Sequence, residues 1–278
     1  MEISFLATGF DHPECLALAP SGWVACGGEA GQIYRVDVAT GAWEKIADTG
    51  GFVLGVTFDG AENIYACDMG RHAVLRIDAV TREITDLTTG KSEHQVATPN
   101  LAVFHPDGRL FFSDSGSWDA RDGRMFCIYP DGEVRLLSGQ AADFPNGIAV
   151  DPAAEWLYIA ESTVPGISRC PITADGLGDR ELVVEMPRTV PDGLTFAADG
   201  RLLIGCYRPD AVMIWDGSNR SVLIEDWTGE FLSAPTGVTF VGDGLSRLLT
   251  ANLGGYHIAE LTGLPEDLRG APLRYPVL

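Results

Sequence analysis

The chain has 278 residues, of which 46% are hydrophobic and 33 are glycines, so it has enough apolar material for a sizeable core and many tight turns. Its formal net charge of -20 argues against nucleic acid and against anionic membranes as partners, because both are bound through positively charged surfaces.

The N-terminal segment and the cysteines indicate the cellular compartment in which the protein is expected. Residues 1–6 lack a basic region followed by a long apolar run, and no part of the chain approaches the roughly eighteen consecutive apolar residues of a membrane span. The six cysteines are scattered without a Cys-x-x-Cys pair, which favours buried thiols in a reducing environment over the alternative of disulfides in a secreted protein. We therefore expect a cytoplasmic protein.

One short phrase recurs six times along the chain, each time in front of strand-forming residues. Its copies begin at Pro13, Val53, Pro99, Pro145, Pro191 and Pro235, the second and the last being degenerate. The second positions of these copies lie 40 to 46 residues apart. A period of this size is typical of propellers and solenoids.

Within each repeat, short β-branched or aromatic runs alternate with Gly, Asp and Pro. The third repeat predicts strands at 101–105, 109–113, 125–129 and 133–137. The fifth repeat predicts strands at 194–197, 201–206, 211–215 and 221–225. Four antiparallel strands in each of six repeats predict an all-β, six-bladed β-propeller that forms a single domain over 1–278.

The ring needs one strand to close its last blade. We place the N-terminal segment 2–8 as the outer strand of that blade, because it is followed by the same kind of Gly-containing turn as residues 44–47. The C-terminal segment 273–278 is the competing candidate.

The second position of each phrase is predicted to face the mouth of the central channel. In a meandering blade the first strand lines the channel, and the connection into it shares a face with the connection between the second and third strands. The six positions are Glu14, Leu54, Asn100, Asn146, Asp192 and Thr236. Four carry carboxylate or amide oxygens, and converging carboxylates repel each other unless a cation lies among them.

These oxygens predict a site for one divalent cation with four ligands, Glu14, Asn100, Asn146 and Asp192. Ligation by oxygen alone suits calcium, magnesium or manganese, and the lack of His and Cys at these positions argues against structural zinc. Positions left open on the ion can take water or substrate. The alternative is that Pro-Asn-Gly and Pro-Asp-Gly are ordinary turns, but their register in the repeats favours the metal site.

The repeated phrases also carry a family resemblance. The chain resembles the regucalcin/gluconolactonase family, also called the senescence marker protein family, in Pro13-Glu14-Cys15-Leu16, Phe144-Pro145-Asn146-Gly147-Ile148-Ala149 and Pro191-Asp192-Gly193. Close relatives of that family include diisopropyl-fluorophosphatase and drug-responsive lactonases. The resemblance implies a divalent cation, calcium by preference and Zn2+, Mn2+, Mg2+ or Fe2+ as alternatives, on the matching Glu, Asn and Asp.

The resemblance implies in addition that Asn100 completes the ion's shell or contacts substrate, and that the chain hydrolyses a lactone or related ester. One departure concerns the substrate. Sugar-lactonase members tend to carry an Arg two residues before the Asn of the third blade and an Asp after it, where this chain has Thr98 and Leu101. The contacts to a polyol that those residues would supply are therefore missing.

The connections between second and third strands share the face of the metal site and are predicted to form the pocket wall. The substrate-binding candidates are Asn100, Ser115, Trp118, Glu161, Tyr207, Arg208 and His257. Two of them have ordinary alternatives, since His257 can be a hydrogen-bonded strand residue and Arg208 can pair with Asp210. No Gly-x-Ser-x-Gly elbow, P-loop, dinucleotide fingerprint or His-Glu-x-x-His motif occurs.

These observations predict a metal-dependent hydrolase of carboxylic esters, of the lactonase type. Asp192 is the catalytic candidate, because a metal ligand with a second carboxylate oxygen can accept a proton from the attacking water. Two alternatives stay open, an isomerase or lyase that works through an enolate and a non-catalytic propeller that binds a metal or ligand. The expected partner is a small-molecule substrate, and the expected state is a monomer or weak homodimer.

Overall fold

A computed structural model describes residues 1–137 and 143–278, which contain six antiparallel β-sheets. Each sheet is one blade of a six-bladed β-propeller, so the predicted all-β fold with four-stranded antiparallel blades is confirmed. The described part of the chain has one helical turn, a 3-10 turn at Asp243–Leu245, and therefore no helix long and apolar enough to cross a membrane.

The strands follow one another blade by blade, after an N-terminal strand β1 at Glu2–Thr8. Blade 1 contains β2 (Ala17–Leu18), β3 (Val24–Gly27), β4 (Gln32–Val36) and β5 (Trp43–Asp48). Blade 2 contains β6 (Val53–Phe58), β7 (Ile64–Asp68), β8 (Ala73–Ile77) and β9 (Ile84–Asp86). Blade 3 contains β10 (Pro99–Phe104), β11 (Leu110–Asp114), β12 (Arg124–Ile128) and β13 (Val134–Leu137).

The second half of the chain continues the series. Blade 4 contains β14 (Pro145–Val150), β15 (Trp156–Glu161), β16 (Gly166–Thr173), β17 (Gly176–Leu177) and β18 (Glu181–Glu185). Blade 5 contains β19 (Val190–Phe196), β20 (Leu202–Arg208), β21 (Ala211–Trp215) and β22 (Arg220–Glu225). Blade 6 contains β23 (Pro235–Val241), β24 (Arg247–Asn252) and β25 (His257–Thr262), completed by β1.

Blade 4 has one strand more than the other blades because β16 is long. Its first half pairs with the outer strand β18, and its last two residues form a small hairpin with β17. The four-stranded core of the blade is unchanged by this extension.

Ring closure uses the two ends of the chain differently. Strand β1 pairs antiparallel with β25, from Glu2 opposite Thr262 to Thr8 opposite His257, so the N-terminal segment forms the outer strand of blade 6. The competing C-terminal segment is not a strand. Together with the residues just before it, this segment crosses the opposite mouth of the channel, where Ala271 N–H donates to the Phe196 carbonyl oxygen at 2.9 Å.

The C-terminal segment also joins blades 1 and 2 at that mouth. The Tyr275 hydroxyl donates to the Leu18 carbonyl oxygen at 2.7 Å, and Gly60 N–H donates to the Pro276 carbonyl oxygen at 2.8 Å. Above this segment, the later residues of the first strands line a mainly apolar cavity of about 200 Å³. The segment therefore covers the end of the channel opposite the repeated phrases.

In blades 3 and 5, tight turns with glycine in the left-handed region join the first and second strands. In blade 3, His105 N–H donates to the Arg109 carbonyl oxygen at 2.8 Å, and Gly108 has a φ of 93°. Gly200 occupies the same place in blade 5 with a φ of 90°. A residue with a Cβ is strained in this conformation, so the repeated Asp-Gly pairs mark these hairpins.

The hydrophobic core lies between neighbouring blades. Aromatic side chains of a second strand pack edge-on against the last residue of the next blade's first strand, as Tyr65 does with Phe104 and Tyr158 with Phe196, at centroid distances of 4.8 and 5.0 Å. Such pairs contribute about 0.5–1.5 kcal/mol each beyond the area they bury. This packing joins each blade to the next and so positions their first strands around the channel.

Candidate active site

The six predicted positions converge on one small cavity at the channel mouth. Its lining includes Glu14, Leu54, Asn100, Asn146, Asp192 and Thr236. The cavity measures about 50 Å³, which is room for an ion with a little water and too little for a sugar or a comparable ring. A substrate would therefore lie above this cavity, in the opening, with only its reacting group directed inward.

The Pro-Asn-Gly and Pro-Asp-Gly phrases are parts of strands and not turns. In blade 4 the pairing of β14 with β15 is regular at Pro145 and again from Ile148, and Asn146 and Gly147 between them are unpaired. Blade 5 has the same irregularity after Pro191. A bulge of this kind re-aims a side chain, and here it places Asn146 in the lining of the channel mouth.

Glycine follows the bulged residue because the backbone of the next blade is close. A Cβ on Gly147 would lie 2.2 Å from the Asp192 carbonyl oxygen, and a Cβ on Gly193 would lie 2.2 Å from the Thr236 carbonyl oxygen. No side chain fits at these distances. The glycines therefore let neighbouring first strands approach, which brings the side chains of the ring together.

Two carboxylates are buried at this mouth, and their charges are poorly compensated. Glu14 and Asp192 are each 7% exposed. Burial, followed by the negative charges of Asp192 and Glu29, raises the pKa of Glu14 well above its usual value. Burial also raises the pKa of Asp192 to about 7, although the hydrogen bond from Asn146 acts in the opposite direction. Without a cation, the protein disfavours two negative charges here.

Two oxygen atoms of the cluster are buried without a hydrogen-bond partner among the described residues, Glu14 Oε2 and Asn146 Oδ1. The amide of Asn146 is oriented by its nitrogen, since Nδ2 donates to Asp192 Oδ2 at 3.0 Å and to Ser162 Oγ at 3.3 Å. Unpaired buried acceptors are costly unless something positive contacts them. Together with the carboxylate pair, they form a donor set that fits a hard divalent cation.

Hydroxyl groups of neighbouring blades fix the backbone of this cluster. Thr236 Oγ1 donates to the Glu14 carbonyl oxygen at 2.8 Å. Ser162 Oγ donates to the Pro191 carbonyl oxygen at 2.8 Å while it accepts from the Asn146 amide. These contacts cross blade boundaries, so they hold the ligands from different blades in a constant relative position.

The structure also brings Asn100 and Ser115 to this mouth. Asn100 Nδ2 donates to Ser115 Oγ at 3.0 Å, and Ser115 Oγ donates to the Pro145 carbonyl oxygen at 2.8 Å. Because its nitrogen is engaged with Ser115, Asn100 has its amide oxygen left for an ion or a substrate. Ser115 is fully buried and holds Asn100 in place.

Three other candidates lie on the rim and are exposed. Trp118 is 51% exposed and packs against Phe144 with ring centroids 4.8 Å apart. Tyr207 and Arg208 end strand β20, and the Arg208 guanidinium lies over the Tyr207 ring at 4.9 Å. Arg208 Nη1 also donates to Asp210 Oδ1 at 3.0 Å, so the pairing expected as its alternative occurs.

The remaining two candidates are not brought to the mouth cavity. Glu161 is buried and pairs with Arg180, and it lines a separate cavity of about 340 Å³. His257 hydrogen-bonds through Nε2 to the Phe231 carbonyl oxygen at 2.8 Å, and its ring packs against Phe5 at 4.8 Å. Neither side chain is in the lining of the mouth cavity, and both are engaged with the protein itself, so their contact with a substrate stays a prediction.

A further group of possible metal-binding side chains was missed by sequence reasoning. Ligand atoms of Asp11, His12 and Glu29 lie within 4.8 Å of one another. His12 Nδ1 is hydrogen-bonded to the Leu253 carbonyl oxygen at 2.9 Å, and its ring packs against Tyr256 at 4.6 Å. The signal available in the sequence was the position of His12 two residues before Glu14.

The fold and this site define a class of protein, a six-bladed propeller with a buried set of oxygen donors at one end of its channel. The sequence model described as SMP-30/Gluconolactonase/LRE-like region matches residues 24–252. The chain therefore belongs to this family.

Two relatives with curated names are similar over part of the chain. The gluconolactonase of Zymomonas mobilis is 24% identical over 160 residues, a match that covers 50% of this chain and 45% of that protein. The lactonase drp35 of Staphylococcus haemolyticus is 21% identical over 228 residues, covering 63% of this chain and 69% of that protein. The match thus spans less than half the length of the gluconolactonase.

Two solved structures share the fold over most of both chains. A gluconolactonase from Xanthomonas campestris superposes with a TM-score of 0.80 at 19% identity, covering 94% of this chain and 89% of the other. Regucalcin from Agrobacterium tumefaciens, described as a calcium-binding protein, superposes with a TM-score of 0.77 at 19% identity, covering 97% and 96%. At these identities the likeness shows the fold alone.

Proposed function

We propose that this protein is a divalent-metal-dependent hydrolase that opens a lactone or a related ester. The observation that carries the proposal is the cluster of Glu14, Asn146 and Asp192, which is buried, contains two repelling carboxylates and has two acceptor oxygens without a hydrogen-bond partner in the described part of the chain. Membership of a family with gluconolactonase in its name, and partial similarity to proteins named gluconolactonase and lactonase, support the reaction class.

Three residues would hold the ion, Glu14, Asn146 and Asp192, with Asn100 as a fourth ligand or as a contact to substrate. Calcium is the preferred ion because all donors are oxygens, and zinc, manganese, magnesium and iron(II) are the alternatives. When bound, a divalent cation polarises the substrate carbonyl and stabilises the negative charge that develops on its oxygen.

Asp192 is the proposed base. One of its carboxylate oxygens, Oδ2, accepts the hydrogen bond from Asn146 Nδ2, which fixes the plane of the group. The other oxygen can then accept a proton from the attacking water and return it to the leaving alcohol when the ring opens. Because Asp192 lies in the lining of a cavity of about 50 Å³, few water molecules can occupy the position for attack.

Asn100 would orient the substrate from the neighbouring blade. Ser115 holds its amide nitrogen, so its oxygen keeps a constant direction while the substrate enters. This pre-organisation matters because small displacements of a reacting group reduce the rate strongly.

The test is metal-dependent turnover with oxygen-18 water. Protein stripped of metal is loaded with each ion in turn and assayed on a panel of lactones, carboxylic esters and phosphotriesters. The proposal predicts turnover that depends on the added ion and one oxygen-18 atom in each product molecule. Product without oxygen-18 would instead indicate an isomerase or lyase, and stoichiometric ion binding without any turnover would indicate a binding propeller.

We further propose a cytoplasmic location, a small-molecule substrate and a monomer or weak homodimer. All six cysteines are buried, which fits their use as small apolar side chains in a reducing compartment. The net charge of -20 disfavours polyanionic partners. Sedimentation at several protein concentrations tests the oligomeric state.

A further inference from the structure

Two half-exposed aromatic side chains, Trp118 and Tyr256, belong to corresponding connections of different blades. Trp118 lies between β11 and β12 of blade 3, and Tyr256 lies between β24 and β25 of blade 6. These connections are on the face of the mouth, because they share it with the connections that lead into the first strands. Blades 3 and 6 are three positions apart in a ring of six, so the two aromatic residues lie on opposite sides of the channel axis.

Trp118 is anchored beside the Asn146 side of the mouth. Its ring packs edge-on against Phe144, with an interplanar angle of 69° and centroids 4.8 Å apart. Phe144 lies two residues before Asn146 and adopts a positive φ of 56°. About half of the Trp118 surface stays exposed.

Tyr256 is anchored in the same way beside the Glu14 side. Its ring packs against His12 with centroids 4.6 Å apart. His12 lies two residues before Glu14 and also has a positive φ, 44°. Tyr256 is 59% exposed. Each aromatic residue thus packs on the residue two positions before a proposed ligand and keeps a free apolar surface.

Polar side chains close to the proposed ligands are, by contrast, engaged with the protein itself. The Ser115 hydroxyl donates to the Pro145 carbonyl oxygen and accepts from Asn100. The Thr98 hydroxyl donates to the Gly116 carbonyl oxygen at 2.9 Å. These hydroxyls are therefore not available to bind the hydroxyl groups of a polyol.

Polar residues in two other connections are engaged in the same way. Asn252 Oδ1 accepts from Ser233 N–H at 3.0 Å, and Arg208 pairs with Asp210 at 3.0 Å. A hydroxyl group that leaves water without gaining a partner loses binding energy. Exposed aromatic surface, in contrast, favours an apolar ligand, since both surfaces leave water on contact.

We propose that the substrate of this site is a lactone or ester with an apolar or aromatic substituent, which is held between Trp118 and Tyr256. The proposal rests on the lactonase function proposed above. The reacting carbonyl is directed toward Asp192 at the mouth, and the substituent stays in the opening between the two aromatic residues. Truncation of either aromatic side chain is expected to raise the KM or Kd for such a substrate by about tenfold, the loss of one aromatic contact.

The experiment compares three lactones with the same six-membered ring. They are δ-valerolactone, δ-valerolactone with a phenyl group next to the ring oxygen, and glucono-δ-lactone, each corrected for its uncatalysed hydrolysis. The metal-loaded protein is expected to prefer the phenyl compound over glucono-δ-lactone by tenfold or more in kcat/KM, through a lower KM. Trp118→Ala and Tyr256→Ala should remove this preference by raising KM for the phenyl compound about tenfold more than KM for δ-valerolactone, while Trp118→Phe retains most of it.

A matched control is Trp227→Ala. Trp227 lies on the same face, in the connection between β22 and β23, and is 90% exposed, so its removal should leave the KM of all three lactones unchanged. Equal or better use of glucono-δ-lactone, or variants that change KM for all three lactones alike, would overturn the proposal.

Calorimetric titration with the phenyl lactone separates this proposal from the proposed function. If no lactone is hydrolysed but the phenyl compound binds and Trp118→Ala weakens that binding about tenfold, the hydrolase assignment fails and the aromatic site stands. If lactones are hydrolysed and binding of the phenyl compound is the same in the wild type and both alanine variants, the aromatic site fails and the hydrolase assignment stands.

Discussion

Replacement of Asp192 by Asn tests whether a buried carboxylate destabilises the channel mouth when no cation is present. The substitution keeps the shape of the side chain and an oxygen that can accept from Asn146, but it removes one negative charge. In the metal-free wild type, burial raises the pKa of Asp192 from 3.8 to about 7. The folded protein therefore binds more protons than the unfolded chain between these two values, and its stability must fall as the pH rises through this window.

The expected magnitude follows from the size of the shift. At about 1.4 kcal/mol for each pKa unit, ionising Asp192 in the folded protein costs up to about 4 kcal/mol. Asp192→Asn should therefore exceed the wild type in free energy of unfolding by up to about 4 kcal/mol at pH 8, with EDTA present. The two proteins should converge toward pH 4, where the wild-type carboxyl is protonated in the folded and unfolded states.

The assay is urea unfolding in EDTA between pH 4 and pH 8, repeated with a saturating divalent ion. The added ion should cancel the advantage of the variant, because an ion at one thousand times its Kd stabilises the wild type by about 4.1 kcal/mol. Asp226→Asn is a control in which the free energy of unfolding should change in the opposite direction. Burial raises the pKa of Asp226, but hydrogen bonds from Thr228 and from the N–H groups of Phe231 and Leu232 outweigh this and lower it to about 2, so this variant should be less stable than the wild type at pH 8. Equal stability of Asp192→Asn and wild type in EDTA at pH 8 would refute the reasoning.

Three further predictions concern the same cluster. Glu14→Gln should stabilise the metal-free protein above neutral pH and abolish tight ion binding, whereas Glu29→Gln, which removes a more distant charge, should change ion affinity by less than tenfold in the same titration. Gly193→Ala should lower the free energy of unfolding by about 1–3 kcal/mol in urea, because its Cβ would lie 2.2 Å from the Thr236 carbonyl oxygen. Ion binding at pH 6 should release protons, visible as a buffer-dependent heat in calorimetry, and affinity should fall as the pH is lowered, because protons compete for Asp192 and Glu14. An ion affinity independent of pH between 5 and 8, or a Gly193→Ala variant as stable as the wild type, would contradict these expectations.

Repetition is the reason why much of this architecture could be predicted. A phrase that returns every 40 to 46 residues places its second position at the same point of every blade, so side chains distant in sequence must meet on the axis. Sequence alone could not show why the phrase contains glycine. The close approach of neighbouring first strands, and the bulge that turns Asn146 into the channel, appear only when the blades are packed.

The distance of a side chain from the channel axis was harder to infer from the sequence than the face of the propeller on which the side chain lies. Glu161 and His257 lie in connections on the predicted face, or next to them, yet their partners come from outer parts of the fold. Glu161 pairs with Arg180, from the segment between β17 and β18, and His257 packs against Phe5 of β1. Such partners depend on insertions and on ring closure, and no local pattern encodes them.

The central claim is that oxygens from different blades hold one divalent ion at the channel mouth. Calorimetric titration of metal-free protein at pH 7.5 with calcium, manganese and zinc tests it most directly, because it reports stoichiometry without any assumption about substrate. The account predicts one ion per chain for the wild type and no such binding for Asp192→Asn or Glu14→Gln. Absence of binding by the wild type, or equal binding by all three proteins, would contradict it.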